Sequence, residues 1–261
     1  MSSLSEFLSD DGTAFGGWLS VPNSVSAEHV SRLGFDYVCI DTQHGFVEYS
    51  ATVGMIQGIL LGGSVPLVRV PWNEPGIIGK MLDAGAHGVI VPMVNTVADA
   101  EAAVAAGRYA PDGSRSYGPT ATATRPDVPY VDWAREQTTV IPMIETVEAI
   151  ANLDDILAVP GIEAIYVGPA DLSLTLGLPP ANNDDEPAFT EALEAIVAGC
   201  HRAGVAPGIH ASGALAERRV EQGFRVITVA NDVLAIRGAM SAELATARGA
   251  SSSTAAESGP Y

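Results

Sequence analysis

The chain has 261 residues, 47% of them hydrophobic, with only two cysteines and a formal net charge of −18 from 31 acidic and 13 basic side chains. That apolar content supports a buried core and excludes a disordered chain or a disulfide scaffold, while the negative charge argues against nucleic acid and membrane surfaces as partners. No apolar run reaches the ~18–20 residues that span a bilayer, and the first cationic side chain is Arg32, so neither a spanning helix nor a signal peptide is expected and the chain reads as cytoplasmic.

Eight short β-type runs follow one another, at 15–20, 37–41, 66–70, 88–92, 140–145, 164–169, 206–211 and 226–231. They are near-continuous apolar segments such as YVCI, GVIV, AIYV and VITV, the pattern of parallel strands buried on both faces. Periodic segments between them read as helices, at 24–33, 97–107, 146–158, 188–203 and 213–222, several ending at Gly. Asn73, Glu74 and Pro75 open another, with Asn73 as the cap candidate.

Eight β/α units in this length predict a (β/α)8 TIM barrel in preference to an open doubly wound sheet. Residues 1–248 read as one domain. A Gly-, Pro-, Ser- and Thr-rich stretch at about 108–137 reads as a long arm, and 249–261, without apolar periodicity, as a disordered tail.

Barrel active sites lie at the C-terminal ends of the strands, which turns the strand list into candidates. Strand two leads into Asp41, Thr42, Gln43 and His44; strand three carries Arg69; strand five ends at Glu145; strand six runs into Gly168, Pro169, Ala170 and Asp171. Glu145 and Asp171 are hard oxygen donors suited to Mg²⁺ or Mn²⁺, or else each caps a following helix. His44, in a polar turn, is a general-base candidate or a structural histidine. Arg69, in an apolar strand, needs an anionic partner, whether substrate, a developing oxyanion or Asp41. Asp83 alone reads as a solvated helix acid. Lys80, the sole lysine, sits mid-helix, which speaks against a Schiff-base mechanism.

Other groups read as structural. Cys39 and Cys200 are isolated, His29, His87 and His201 carry no spacing signal, and His210, at the end of strand seven, reads as packing in preference to a rim residue. Residues 182–186, Asn-Asn-Asp-Asp-Glu, look like solvated surface before a helix. Phosphate-loop and serine-hydrolase motifs are absent.

Four segments in order, GFDYVCIDTQHG, VRVPWNEPGIIGKMLDAGAHGVIVPMVNT, IPMIET and IYVGPADLSLTLG, resemble the HpcH/HpaI aldolase family, class II pyruvate aldolases of the phosphoenolpyruvate/pyruvate barrel superfamily. The resemblance spans about 15–238. It implies a TIM barrel assembled as a homohexamer whose last helix packs on a neighbour, and a divalent cofactor (Mg²⁺, Mn²⁺ or Co²⁺). The implied reaction is reversible cleavage of a 4-hydroxy-2-oxo acid to pyruvate and an aldehyde through a metal-stabilised pyruvate enolate.

Carried over residue by residue, Glu145 and Asp171 match the metal ligands. His44 matches the base, Asp83 the acid that raises its basicity, and Arg69 the residue that stabilises the enolate. Ala170 matches the backbone N–H on the substrate carboxylate, with Gly168 and Pro169 beside it. Met143 departs from the pattern: many members carry Gln there as a substrate contact, and a thioether cannot donate a hydrogen bond. The arm around Arg115 is the other variable feature, with a charge expected to reach the mouth of the site. Rival readings on the same scaffold are an oxaloacetate decarboxylase like macrophomate synthase, or a citrate-lyase-β-like CoA lyase. A non-catalytic keto-acid sensor would have no need of a base.

Overall fold

The structure, a computed structural model, describes Leu4 and residues 12–249. Its strands are β1 (Ala14–Leu19), β2 (Tyr37–Asp41), β3 (Val65–Arg69), β4 (Gly88–Val91), β5 (Thr139–Pro142), β6 (Ala164–Val167), β7 (Ala206–His210) and β8 (Val226–Asn231). All are parallel, in the order β5-β4-β3-β2-β1-β8-β7-β6. Bridges Val140–Ile162 and Met143–Tyr166 link β5 to β6, which brings the sheet round into a nearly closed barrel.

The two-residue period of a strand explains why so many runs are apolar throughout. Trp18, Cys39, Leu67, Ile90, Ile141 and Tyr166 point inward and fill the barrel. Leu19, Ile40, Val68, Val89 and Ile165 point outward beneath the helices. The same alternation puts Asp41 and Arg69 on the inner face, and the β2–β3 register sets them side by side.

The outer layer comprises α1 (Ser24–Ser31), α2 (Tyr49–Gly62), α3 (Pro75–Ala84), α4 (Val97–Gly107), α5 (Tyr130–Gln137), α6 (Val147–Ala151), α7 (Leu153–Leu157), α8 (Pro169–Thr175), α9 (Pro187–Ala203), α10 (Ala216–Glu221) and α11 (Asp232–Ala247). The helix expected over 146–158 is split at Asn152, which acts as both a cap and a side-chain donor to the Asn95 carbonyl. The cap of α3 is Glu74, whose carboxylate accepts from Gly76 and Ile77 N–H at 3.0 and 2.9 Å. Asn73, the expected cap, instead donates to the Asp99 carbonyl.

Residues 108–129 form no strand or long helix. They fold back under the C-terminal ends of α3 and α4, with Ser114 N–H on the Ala105 carbonyl and Arg115 N–H on that of Arg108. Those helix ends lead into strand starts, so the arm sits at the N-terminal face of the barrel. The expected tail, beyond Gly249, lies outside the described residues. Among the described residues no helix is long and apolar enough to cross a membrane.

Candidate active site

A cavity of about 570 Å³ opens at the C-terminal ends of the strands. Arg69, Met143, Glu145, Gly168, Pro169, Ala170 and Asp171 all line it. The fold therefore gathers seven of the nine expected site residues around one space.

Arg69 is buried and forked onto Asp41, Nε to Oδ1 at 2.9 Å and Nη2 to Oδ2 at 2.7 Å. Its guanidinium carbon lies 5.0 Å from the centroid of the Trp18 ring. Asp41 is thus the anion that this cation requires. Burial pushes the Asp41 carboxyl up. The Arg69 hydrogen bonds and charge, with the N–H groups of His44 and Gln43, outweigh that and hold it below its ordinary value. Among the described residues nothing accepts from Arg69 Nη1, which leaves that group for a ligand.

Glu145 lies three residues beyond β5, because the strand ends at Pro142 and not at Glu145. Its Oε1 accepts the Met93 N–H at 2.8 Å, and Met93 holds φ +55 to present it, a conformation uncommon outside glycine. Burial, with the nearby Asp171 charge, pushes the Glu145 carboxyl up to about 7 against the opposing Met93 hydrogen bond and Arg69. Gly168 makes room for it, since a Cβ there would collide with Glu145 Oε2 and press on Met143. Neither acid is the cap it resembled. Thr146 caps α6 and Gly168 caps α8.

A divalent cation fits this donor set. Two carboxylates face one cavity, one is buried beside the other's charge, and Asp171 has no hydrogen-bonding partner among the described residues. No group of three or more His, Cys, Asp or Glu side chains suited to a metal occurs among the described residues. Glu145 and Asp171 are thus two carboxylate donors, and a hard oxygen-liganded ion there would complete its shell with water or ligand oxygens.

His44 and Asp83 are not among the cavity's lining residues. His44, exposed in the loop after β2, is tied to the same carboxylate as Arg69 by its backbone N–H on Asp41 Oδ1 at 3.2 Å. Asp83, near the C-terminal end of α3, lies toward the opposite face of the barrel, because its helix runs ~12 Å down from the rim. Its Oδ1 accepts from Arg115 Nη2 at 2.5 Å. Arg115, expected to reach the mouth of the site, is instead buried there, against Asp83 and the Tyr109 ring.

Two other features escaped the sequence reading. His210, read as packing, lines the cavity with its ring edge-on to Trp18 at 5.0 Å. Burial, and secondarily the Arg69 charge, push its imidazole down to about 4, so it is neutral near pH 7. The strand-end rule already contained the signal, because His210 is the last residue of β7. Within 182–186, read as solvated, Asn182 and Asp184 line the cavity and are held from behind by Arg219. Arg219 is fully buried and donates to both Asp184 oxygens, Asn182 and Gln222.

Fold and site define a barrel whose strand-end cavity is lined by a pinned guanidinium and a carboxylate pair. The sequence model of the HpcH/HpaI aldolase/citrate lyase family matches residues 14–239, and the chain belongs to that family. It is 40% identical over 236 residues to a hydroxypyruvate/pyruvate aldolase of Rhizorhabdus wittichii, covering 90% of this chain and 94% of that one. It is 41% identical to a 4-hydroxy-2-oxo-heptane-1,7-dioate aldolase of Salmonella arizonae, with 94% of each covered. The crystal structure of an HpcH/HpaI aldolase/citrate lyase family protein from Burkholderia cenocepacia superposes with a TM-score of 0.86 at 33% identity, over 94% of this chain and 98% of that one. The chain is a carbon–carbon lyase of the aldolase kind.

Proposed function

We propose that the protein cleaves a 4-hydroxy-2-oxo acid reversibly to pyruvate and an aldehyde, with a divalent ion held by Glu145 and Asp171. The observation that carries this is the shared cavity of Arg69, Glu145, Asp171 and the first turn of α8. When bound, the ion supplies a Lewis-acid charge for the 2-oxo-acid end.

The chain's own residues do the rest. The Ala170 N–H, among the donors left unpaired in a helix's first turn, meets the substrate carboxylate, with Gly168 and Pro169 shaping the approach. Met143 offers the oxo acid an apolar contact and no donor. His44, which stands outside the cavity lining, takes the proton of the C4 hydroxyl through a water as the C3–C4 bond breaks. The bond's electron pair passes to C3 to give the enolate of pyruvate, and Arg69 stabilises the enolate oxygen through the Nη1 that Asp41 leaves unclaimed. Protonation at C3 then yields pyruvate, and the reverse sequence joins pyruvate to an aldehyde.

Asp83 enters this scheme only between copies of the chain, since its own His44 lies toward the other face. An oligomer suits the surface: Ile236, Met240 and Leu244 form an exposed apolar stripe along α11, and Phe46 and Trp72 are exposed near the rim. His44→Ala and Asp83→Asn subunits, each inactive alone, should regain activity when mixed. Mixtures that stay inactive would remove Asp83 from the mechanism.

The test of the function is metal-stripped protein assayed for pyruvate release from 4-hydroxy-2-oxo acids and from oxaloacetate, with and without Mg²⁺, Mn²⁺ or Co²⁺. Metal-restored cleavage of the hydroxy-oxo acids supports the aldolase. Release from oxaloacetate alone makes the protein a decarboxylase, and no release from any of them favours a CoA lyase.

A further inference from the structure

We propose that Met93 is a positioning residue for the divalent ion: its backbone N–H pins one oxygen of Glu145 and leaves Oε2 as the oxygen offered to the ion. This deepens the metal-dependent aldolase reading and rests on it.

Among the described residues Met93 is the only one other than glycine with a left-handed backbone, at φ +55. L side chains adopt that conformation at a cost, because Cβ crowds the following carbonyl. Such strain persists only where the surroundings fix the chain on both sides. Two residues before Met93, the Val91 carbonyl accepts the Met143 N–H at 2.8 Å. Two residues after it, Asn95 Oδ1 accepts from the Thr146 hydroxyl at 2.5 Å, and the Asn95 carbonyl accepts from Asn152 Nδ2 at 2.9 Å. The turn between β4 and α4 is thus bolted to the segment between β5 and α7 on both sides of Glu145.

Between these bolts the Met93 N–H meets Glu145 Oε1 at 2.8 Å. Glu145 is buried, and among the described residues no donor reaches its Oε2, which lies against Gly168 in the cavity lining. A carboxylate free to rotate would present either oxygen. The strained turn removes that freedom, so Glu145 is oriented before an ion arrives. Relaxation of Met93 to negative φ would swing its N–H away and release the carboxylate.

The experiment titrates metal-stripped protein with Mn²⁺ in a calorimeter and records thermal melts of the same metal-free protein. Met93→Ala keeps both the N–H and the strain, and should bind within about twofold of wild type. Met93→Gly accepts φ +55 freely; it should also bind within about twofold, and melt about 2–4 °C higher. Met93→Val, with the branched side chain that tolerates this backbone least, should bind about tenfold more weakly. Asn95→Ala unbolts the turn. It should weaken binding by about tenfold when residue 93 is Met, but by less than about threefold in the Met93→Gly protein, where no strain is left to release. A merely structural turn would move the melts and leave the affinities alone. Equal affinity across the series, or an equal loss from Asn95→Ala in both backgrounds, would overturn the inference and leave the metal site standing. Wild-type protein that binds no Mn²⁺ would sink the metal reading, and this inference with it.

Discussion

Arg69 and Arg219 are both buried and both grip an aspartate through two guanidinium nitrogens, yet they serve opposite ends. Arg69 joins neighbouring strands at registered positions, with Asp41 as its one ion-pair partner and a nitrogen left over beside the cavity. Arg219 joins a helix to a loop 35 residues earlier and spends both terminal nitrogens on Asp184, Asn182 and Gln222. The first pair leaves charge beside the cavity, and the second cancels charge behind its wall. A buried arginine is therefore read by what it has left to give, and burial alone does not mark it as machinery.

Breaking each pair should separate the two roles. Arg69→Met should lower turnover by ~10²–10³ through loss of the enolate donor. It should also destabilise the fold by about 3–5 kcal/mol, because Asp41 stays buried and unpaired. Adding Asp41→Asn should recover stability in urea melts without recovering turnover. Turnover within a few-fold of wild type would deny Arg69 its role. Arg219→Met should destabilise by about 3 kcal/mol. Its kinetic mark should be a raised KM with kcat within about threefold, since the Asn182–Asp184 wall loosens while Arg69 and Glu145 stay in place. A collapse of kcat with KM unchanged would put Arg219 in the machinery after all.

A control at the metal end sharpens the contrast. Gly168→Ala, which drives a methyl into Glu145 Oε2, should weaken Mn²⁺ binding by about 10–100-fold in titration calorimetry and leave the Arg219 wall intact. Unchanged affinity would mean that Glu145 is not a ligand or moves freely.

The smallest effect is on pH. His210 has its folded pKa pushed below the ordinary histidine value, to about 4, by burial first and then by Arg69. The folded state therefore resists protonation that the unfolded chain accepts. Stability is full above about pH 6.5, falls as pH drops toward 4, and levels off below that. His210→Gln should remove this pH dependence, worth about 3 kcal/mol across the window. Arg69→Met should raise the His210 pKa in an NMR titration, whereas Arg219→Met should leave it in place. Equal shifts in both would erase the distinction between the pairs.

Much of the frame was legible before any coordinates. The segments 37–41, 97–107 and 226–231 coincide with β2, α4 and β8, because each carries a continuous apolar or capped pattern. Arg69 stood out as a cation in an apolar strand, and period two placed it inward with Asp41. The region around Arg219 reads the wrong way round: in AERRVE the apolar Val220 is 40% exposed while Arg219 is fully buried. Periodicity would bury the valine, and nothing nearby in sequence announces Asp184 as the partner. His210 reads as packing from the sequence, since a lone histidine gives no sign of the ring it will stand against.

The sequence by itself determined the eight β/α units, the family, and the residues at the strand ends where a barrel performs chemistry. These follow from patterns of two or 3.6 residues and from motifs whose members lie close in the chain. Only the tertiary structure decided that Asp83 faces away from its own His44, that Arg115 is buried with it, and that the 182–186 loop walls the cavity. Each depends on which distant charge displaces water from another, and the energy of a buried ion pair is set by that meeting and not by either residue alone.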